Sequence, residues 1–196
     1  MIFGPGRLAN LPAVVEEVAG AQATIFLVTG RRNLRDSGVL QQVVGRIGSP
    51  RVTLFDQVTP FPAPQLVSDA LEACRQSSSQ VVVAIGGGSV IDVGKIVSIL
   101  TAHEGACQEY LTGERRISHQ GVPFIAVPTT SGSSSEVTPE AAVWDWETSR
   151  SINPNHPEMF PNRAIVDPEV AMSMPKELAA VTSMDALTSA FESYWS

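Results

Sequence analysis

Apolar and polar positions alternate in blocks along this chain, and the blocks have two lengths. Short runs rich in β-branched residues, Ala23 to Val28, Arg51 to Phe55, Gln80 to Ile85 and Val122 to Val127, read as buried strands. Between them lie longer stretches with apolar residues at helical spacing. Leu11 to Ala19, Asp36 to Ile47, Gln65 to Gln76 and Ser89 to Thr101 are the predicted helices. Pro60-Phe61-Pro62-Ala63-Pro64 predicts a rigid loop before the third of these. Ala141 to Trp146 and Ala164-Ile165-Val166 are further strand candidates, and Pro175 opens a last helix that runs toward Ser196. Strands that alternate with helices of this length imply crossover units. The predicted fold is therefore α/β, a mostly parallel Rossmann-like sheet with helices on both faces.

In such sheets ligands bind outside the carboxyl ends of the strands, so the residues that leave those ends are the first candidates for chemistry. The run Val81 to Ile85 empties into Gly86-Gly87-Gly88-Ser89 and then into a helix. Glycines there let the backbone approach a ligand that a Cβ would hold off, and the helix's first N–H groups and dipole favour an anion, such as a dinucleotide pyrophosphate. A purely structural strand-to-helix turn is the alternative. The run is not a G-x-G-x-x-G fingerprint, because Ile91 stands in the third glycine's place. Ser89 and Asp92 have the spacing of a capping box, which would make Asp92 a helix-start residue only. Lys95, one turn on, either reaches a phosphate or sits in solvent. After the strand ending at Val127 comes Pro128-Thr129-Thr130-Ser131-Gly132-Ser133-Ser134-Ser135-Glu136, a loop whose hydroxyls can serve phosphate or ribose oxygens or simply face water.

Composition narrows the classes. With 196 residues, 43% of them hydrophobic, the chain can bury a sizeable core. A net charge of −7 without a basic block argues against a nucleic-acid or anionic-membrane surface as partner. No apolar stretch approaches a membrane span, the N-terminus lacks a signal-peptide pattern, and Cys74 and Cys107 read as unpaired thiols, so a soluble cytoplasmic protein is expected. A serine hydrolase is unsupported, since no G-x-S-x-G elbow occurs. His103, His119 and His156 do not fall at metal-ligand spacing and read as surface or loop histidines.

Taken in order, Gly86-Gly87-Gly88-Ser89 with Asp92 and Lys95, Pro128-Thr129-Thr130-Ser131-Gly132, Ser135-Glu136-Val137-Thr138, Ala164-Ile165-Val166-Asp167-Pro168 and Met184-Asp185-Ala186-Leu187-Thr188 resemble the iron-containing (group III) alcohol dehydrogenase family. The resemblance covers nearly the whole chain but only about half of a usual family member. It implies a nucleotide-binding domain over residues 1–174 and, over 175–196, the start of an all-helical domain, with metal and substrate held between the two. It further implies Gly87, Gly88 and Ser89 against the pyrophosphate with Asp92 nearby, and Thr129, Thr130 and Ser135 on the nicotinamide and ribose side; Gly86 and Gly30, at the strand ends, are cofactor-site candidates with them. The implied activity is hydride transfer between NAD or NADP and a small primary alcohol or aldehyde, helped by a divalent metal such as iron or zinc acting as Lewis acid.

Two departures qualify the resemblance. Asp185 occupies the first metal-ligand position, but Ser189 stands where the family places a histidine one helical turn later, and a hydroxyl replaces imidazole poorly. Glu192 shares that face as a conceivable surrogate. Gly30-Arg31-Arg32 closes the first strand with no carboxylate for a ribose diol, which favours NADP over NAD, since guanidinium groups suit a 2′-phosphate. A family lysine expected after Asp145 is missing, with Arg150 close by. The ending Glu192 to Ser196 and the altered metal motif are similar to the branch that reduces phosphonoacetaldehyde. This chain alone is expected to bind cofactor and to be catalytically incomplete; a stand-alone nucleotide-binding or interaction module is the alternative. Leu178, Val181, Leu187, Phe191 and Trp195 would expose an apolar helix face, and a homo-oligomer is expected from it.

Overall fold

The computed structural model describes residues 1–172 and 174–195; Ser196, the last residue of the ending compared above, lies outside them. In chain order the elements are β1 (Ile2–Phe3), α1 (Leu11–Ala19), β2 (Ile25–Gly30), α2 (Asn33–Asp36), α3 (Val39–Ile47), β3 (Val52–Val58), α4 (Pro64–Ser77), β4 (Val81–Gly86), α5 (Gly88–Leu100), α6 (Cys107–Leu111), β5 (Phe124–Pro128), β6 (Val143–Asp145), β7 (Arg150–Ile152), β8 (Arg163–Val166), α7 (Pro168–Ala171) and α8 (Lys176–Trp195). Six strands form one sheet in the order β1-β8-β5-β4-β2-β3, and every pairing in it is parallel. The predicted fold class holds.

β4 shows why. All six of its residues are buried, and the pleat sends them alternately to opposite faces. Val81, Val83 and Ile85 pack with Leu11, Val14 and Val15 of α1 and Leu40, Val43 and Ile47 of α3. Val82 and Ala84 pack with Val67 and Leu71 of α4 and Ile91 and Ile96 of α5. The chain therefore leaves β2 toward β3 through helices on one face and leaves β4 toward β5 through a helix on the other. The carboxyl ends of β2 and β4 therefore border the topological switch point, the crevice at which doubly wound sheets bind ligands.

Several elements differ from the sequence reading, each for a local reason. The helix predicted over Asp36 to Ile47 is two helices, because Gly38 adopts a left-handed conformation (φ 75°) and breaks the run. The first central strand starts at Ile25 and continues to Gly30, since the parallel register pairs Ile25 with Val81 and carries on to Thr29 opposite Ile85. β1 is too short to show a period; it pairs with Ile165 and Val166 of β8. The strand predicted over Ala141 to Trp146 becomes a hairpin, β6 with β7, in which Val143 pairs Ile152 and Asp145 pairs Arg150. Asp167 is buried and accepts N–H bonds from Gly6 (3.1 Å), Leu8 (2.8 Å) and Glu169 (3.0 Å), so it caps α7 and pins the N-terminal segment. Cys74 and Cys107 are free and buried, as expected. No helix among the described residues is long and apolar enough to cross a membrane.

The close helix–sheet packing that a third glycine would allow at Ile91 comes instead from Gly94. A Cβ there would stand 2.7 Å from Phe124 and 2.8 Å from Ala84, whereas one on Gly45 of α3 would meet nothing within 4 Å. Gly94→Ala is expected to lower the unfolding free energy by about 1–3 kcal/mol through overpacking, despite alanine's helix preference. Gly45→Ala is expected to raise it by roughly 0.5–1 kcal/mol. Urea unfolding of the two variants checks both signs.

Candidate functional site at the carboxyl ends of the central strands

The glycine turn joins β4 to α5 without a side-chain cap. Gly87 is the N-cap in extended conformation and the helix begins at Gly88, so the proposed Ser89–Asp92 capping box is absent. Both side chains are used elsewhere. The Ser89 hydroxyl accepts the Phe61 N–H (3.3 Å). The Asp92 carboxylate accepts the Ser135 hydroxyl (2.5 Å) and the Ala142 N–H (3.0 Å), which makes it a tether for the chain beyond β5.

The hydroxyl-rich loop lies directly on the turn. Gly86 and Pro128 are neighbours across the sheet, and the Thr129 N–H donates to the Gly86 carbonyl (2.9 Å). A Cβ on Gly87 would stand 3.1 Å from Thr130 Oγ1, and one on Gly88 would stand 2.7 Å from Ser133 Oγ. Any side chain there would push the loop away. At this end of the sheet Gly87, Gly88, Ser89 and Thr130 are half-buried, while Gly86, Thr129 and Ser135 are buried. On the other side of the crevice Gly30 is half-buried, and Arg31 and Arg32 are exposed after β2.

Lys95 overturns both of its sequence readings, since it neither reaches the crevice nor meets solvent. Its side chain has no exposed surface. The ammonium donates to Ser135 Oγ (2.8 Å), Thr138 Oγ1 (3.1 Å) and the Glu140 carbonyl (2.6 Å), which uses all three of its protons. Asp92 stands 4.0 Å away. Burial pulls the Lys95 pKa down to about 8, against the opposing pull of Asp92, Glu140 and Glu136. Burial likewise raises the Asp92 carboxyl above its ordinary value, with the Ser135 hydrogen bond working the other way. The pair and the Ser135 hydroxyl clamp residues 135–142 to α5.

A further contact arrives from α8. A Cβ on Gly132 would meet Asp185 Oδ2 at 3.0 Å and the Thr182 carbonyl at 3.2 Å, so the bare glycine admits α8 to the tip of the hydroxyl loop. Asp185 and Ser189 are both exposed. Among the described residues no group of three His, Cys, Asp or Glu side chains is placed to hold a metal ion, so the donors present do not amount to a metal centre. The histidines stand apart from this site. His119 is exposed and His156 half-buried, but His103 is buried in the turn after α5, with Nδ1 on the Ile99 carbonyl (2.8 Å) and Nε2 accepting the Ser118 N–H (3.1 Å). Burial lowers its pKa. α8 buries none of its residues, and Leu178, Val181, Leu187, Phe191 and Trp195 are exposed.

The sequence reading gave no packing role to Gly94 or Gly132 and passed over an aromatic corner formed by Phe61, Trp144 and Trp146. The only available signals were an isolated helical glycine and two tryptophans two residues apart on a strand, both of which gain meaning from their neighbours in space.

The lysine clamp has a measurable signature. Between pH 8 and 10.5 the folded chain holds fewer protons at Lys95 than the unfolded chain, in which the group titrates near 10.5. The wild type should therefore gain stability relative to Lys95→Met as the pH rises through that window, by about 1–3 kcal/mol. Urea unfolding of both proteins at several pH values checks the slope, and a flat difference contradicts the buried charge.

The profile described as "Iron-containing alcohol dehydrogenase" matches residues 1–168. The long-chain-alcohol dehydrogenase 1 of Geobacillus thermodenitrificans is 34% identical over 188 residues, covering 94% of this chain and 47% of that protein. The 1,3-propanediol dehydrogenase of Klebsiella pneumoniae is 32% identical over 193 residues, covering 98% of this chain and 50% of that protein. Among solved structures, sulfoacetaldehyde reductase from Bifidobacterium kashiwanohense in complex with NAD+ superposes with a TM-score of 0.91 at 30% identity, covering all of this chain and 51% of that one. The chain thus spans about half the length of these relatives. With a family profile over most of its length and the glycine turn, hydroxyl loop and Asp185 helix gathered at one end of the sheet, the chain belongs to the iron-containing alcohol dehydrogenase family.

Proposed function

We propose that this chain provides the nucleotide-binding half of an NAD(P)-dependent alcohol dehydrogenase or aldehyde reductase, with residues 1–174 as the nucleotide-binding domain and 175–196 as the start of a helical one. The observation that carries the reading is the contact of the glycine turn with the Thr129–Ser135 loop at the switch point. Two side-chain-free positions, Gly87 and Gly88, an α5 N-terminus and a row of hydroxyls meet there, and this is the chemistry that a pyrophosphate and two riboses require, while the bare Gly86 makes room for Val90 of α5. Gly87, Gly88 and Ser89 would take the diphosphate, and Thr129 and Thr130 the nicotinamide side, with Ser135, whose hydroxyl is committed to Asp92 and Lys95, behind them. Asp92 and Ser135 act by holding the loop in place.

When bound, the nicotinamide would accept a hydride from the carbon of a small alcohol or give one to the carbon of an aldehyde. The chain's own contribution is to orient that ring from the crevice and to keep the loop closed over the diphosphate. Asp185 faces the same loop as a single carboxylate. With Ser189 beside it in place of histidine, tight metal binding by this chain is not expected.

The exposed Arg31 and Arg32 beside Gly30 favour NADP, since two guanidinium groups stand where a ribose-binding carboxylate would otherwise be. A charged two-carbon aldehyde of the phosphonoacetaldehyde type remains our proposed substrate class. The exposed apolar face of α8 supports self-association.

Titration of the purified chain with NADPH and NADH, followed by nicotinamide fluorescence, tests the reading. Binding in the micromolar range, tighter for NADPH and weakened about tenfold by Arg31→Ala, is the expected result. Bound iron and zinc, measured by elemental analysis, should be substoichiometric. Failure of both nucleotides to bind, or a stoichiometric tight metal, contradicts the proposal.

A further inference from the structure

Phe61 carries a backbone that its sequence disfavours. A residue before proline normally takes an extended conformation with negative φ, yet Phe61 precedes Pro62 and has φ 54°. Such strain persists only where the surroundings over-determine it. Here three contacts do so: the Phe61 N–H donates to Ser89 Oγ (3.3 Å), its carbonyl accepts Trp146 Nε1–H (3.4 Å), and the neighbouring Pro62 carbonyl accepts the Trp144 N–H (2.8 Å). The loop after β3 is thereby tied at once to the first turn of α5 and to the β6–β7 hairpin.

The bonds hold three rings in a defined corner. Phe61 stands edge-on to Trp144 (5.2 Å, 83°) and to Trp146 (6.3 Å, 86°), and the two indoles lie nearly parallel to one another (6.1 Å, 27°). Strand alternation explains the pairing of the tryptophans. Val143 points into the core, so Trp144 and Trp146 share the outward side. Phe61 and Trp146 nevertheless remain more than half exposed, at 53% and 63%. Rings that are fixed in place and still wet serve no core, and apolar faces presented beside an anion-binding turn suit a flat heteroaromatic ring joined to a phosphate.

We infer that Phe61, Trp144 and Trp146 form a stacking corner for one planar ring of the dinucleotide whose diphosphate sits at Gly87–Ser89. The inference rests on the cofactor reading above and adds where a ring is held and by what. Phe61 and Trp146 provide the open faces; Trp144 backs them. Ser89 links the two parts of the site, since the hydroxyl beside the diphosphate also fixes the aromatic loop.

The test uses the full chain with NADPH or NADH, whichever the wild type binds more tightly, and calorimetric titration of wild type, Phe61→Ala, Trp146→Ala and Trp146→Phe. Circular dichroism confirms that the variants are folded, as expected for exposed side chains. Both alanine variants should weaken the dinucleotide about 5- to 100-fold, the range for loss of one stacking partner. Trp146→Phe keeps a ring and should stay within about threefold of wild type, and inorganic pyrophosphate should bind all four proteins alike. ADP and nicotinamide mononucleotide identify the ring, because only the mononucleotide whose base stacks there shares the loss. Unchanged dinucleotide binding in both alanine variants overturns the corner and leaves the cofactor reading standing. Equal losses in Trp146→Phe, or parallel losses for pyrophosphate, also overturn it, because they mark general damage to the site. If the wild type binds neither dinucleotide, both readings fall.

Discussion

An ammonium group with no exposed surface is the constraint around which this end of the molecule is organised. Removing a charge from water costs several kcal/mol unless every proton finds an acceptor, and Lys95 finds three, Ser135 at the end of the hydroxyl loop and Thr138 and Glu140 on the segment that follows it. Asp92 closes the circuit by accepting from Ser135 while standing 4.0 Å from the amine. Because both members of the pair belong to α5, the helix that leaves the glycine turn also dictates where the chain beyond β5 must run. A loop of small polar residues would otherwise wander over the surface.

The clamp matters because the crevice is assembled from segments far apart in sequence. Parallel pairing of β2, β4 and β5 sets their carboxyl ends level, and the change of face between the connections after β2 and β4 opens the gap. Lys95 and Asp92 then bring the hydroxyls down onto the glycines, and Gly132 lets α8 approach with Asp185. The same helix start, through Ser89, holds the strained Phe61 loop. One secondary-structure element thus anchors the floor, the roof and one wall of the proposed cofactor site. Its own packing depends on Gly94, where the sheet comes too close for any side chain.

The family assignment and the metal question separate for physical reasons. A glycine turn, a hydroxyl loop and a parallel sheet are complete within the described residues, and the likeness to family structures extends over all of this chain. A metal centre needs several donors converging from different elements, and among the described residues no three His, Cys, Asp or Glu side chains converge; Asp185 meets the loop with Ser189 one helical turn further on. The nucleotide half of the chemistry is thus supported by local geometry in a way that the Lewis-acid half is not.

Much of the architecture was legible in the chain alone. Buried β-branched runs alternating with helical periods dictate a parallel sheet, because such strands can be covered only by helices on both faces. Glycines at the end of the central strand mark a turn, and ordered motifs mark the family. Other features depended on the tertiary fold. The spacing of Ser89 and Asp92 suggested a capping box, but contacts 28 and 43 residues away drew both side chains out of it. Lys95 carried no local signal of burial. Phe61 and the two tryptophans lie more than 80 residues apart in the chain and meet only when the hairpin folds back onto the loop after β3. Periodicity reports which face of an element is apolar, and that is a local property; which polar groups satisfy one another is decided by long-range closure of the chain, and no window of sequence contains it.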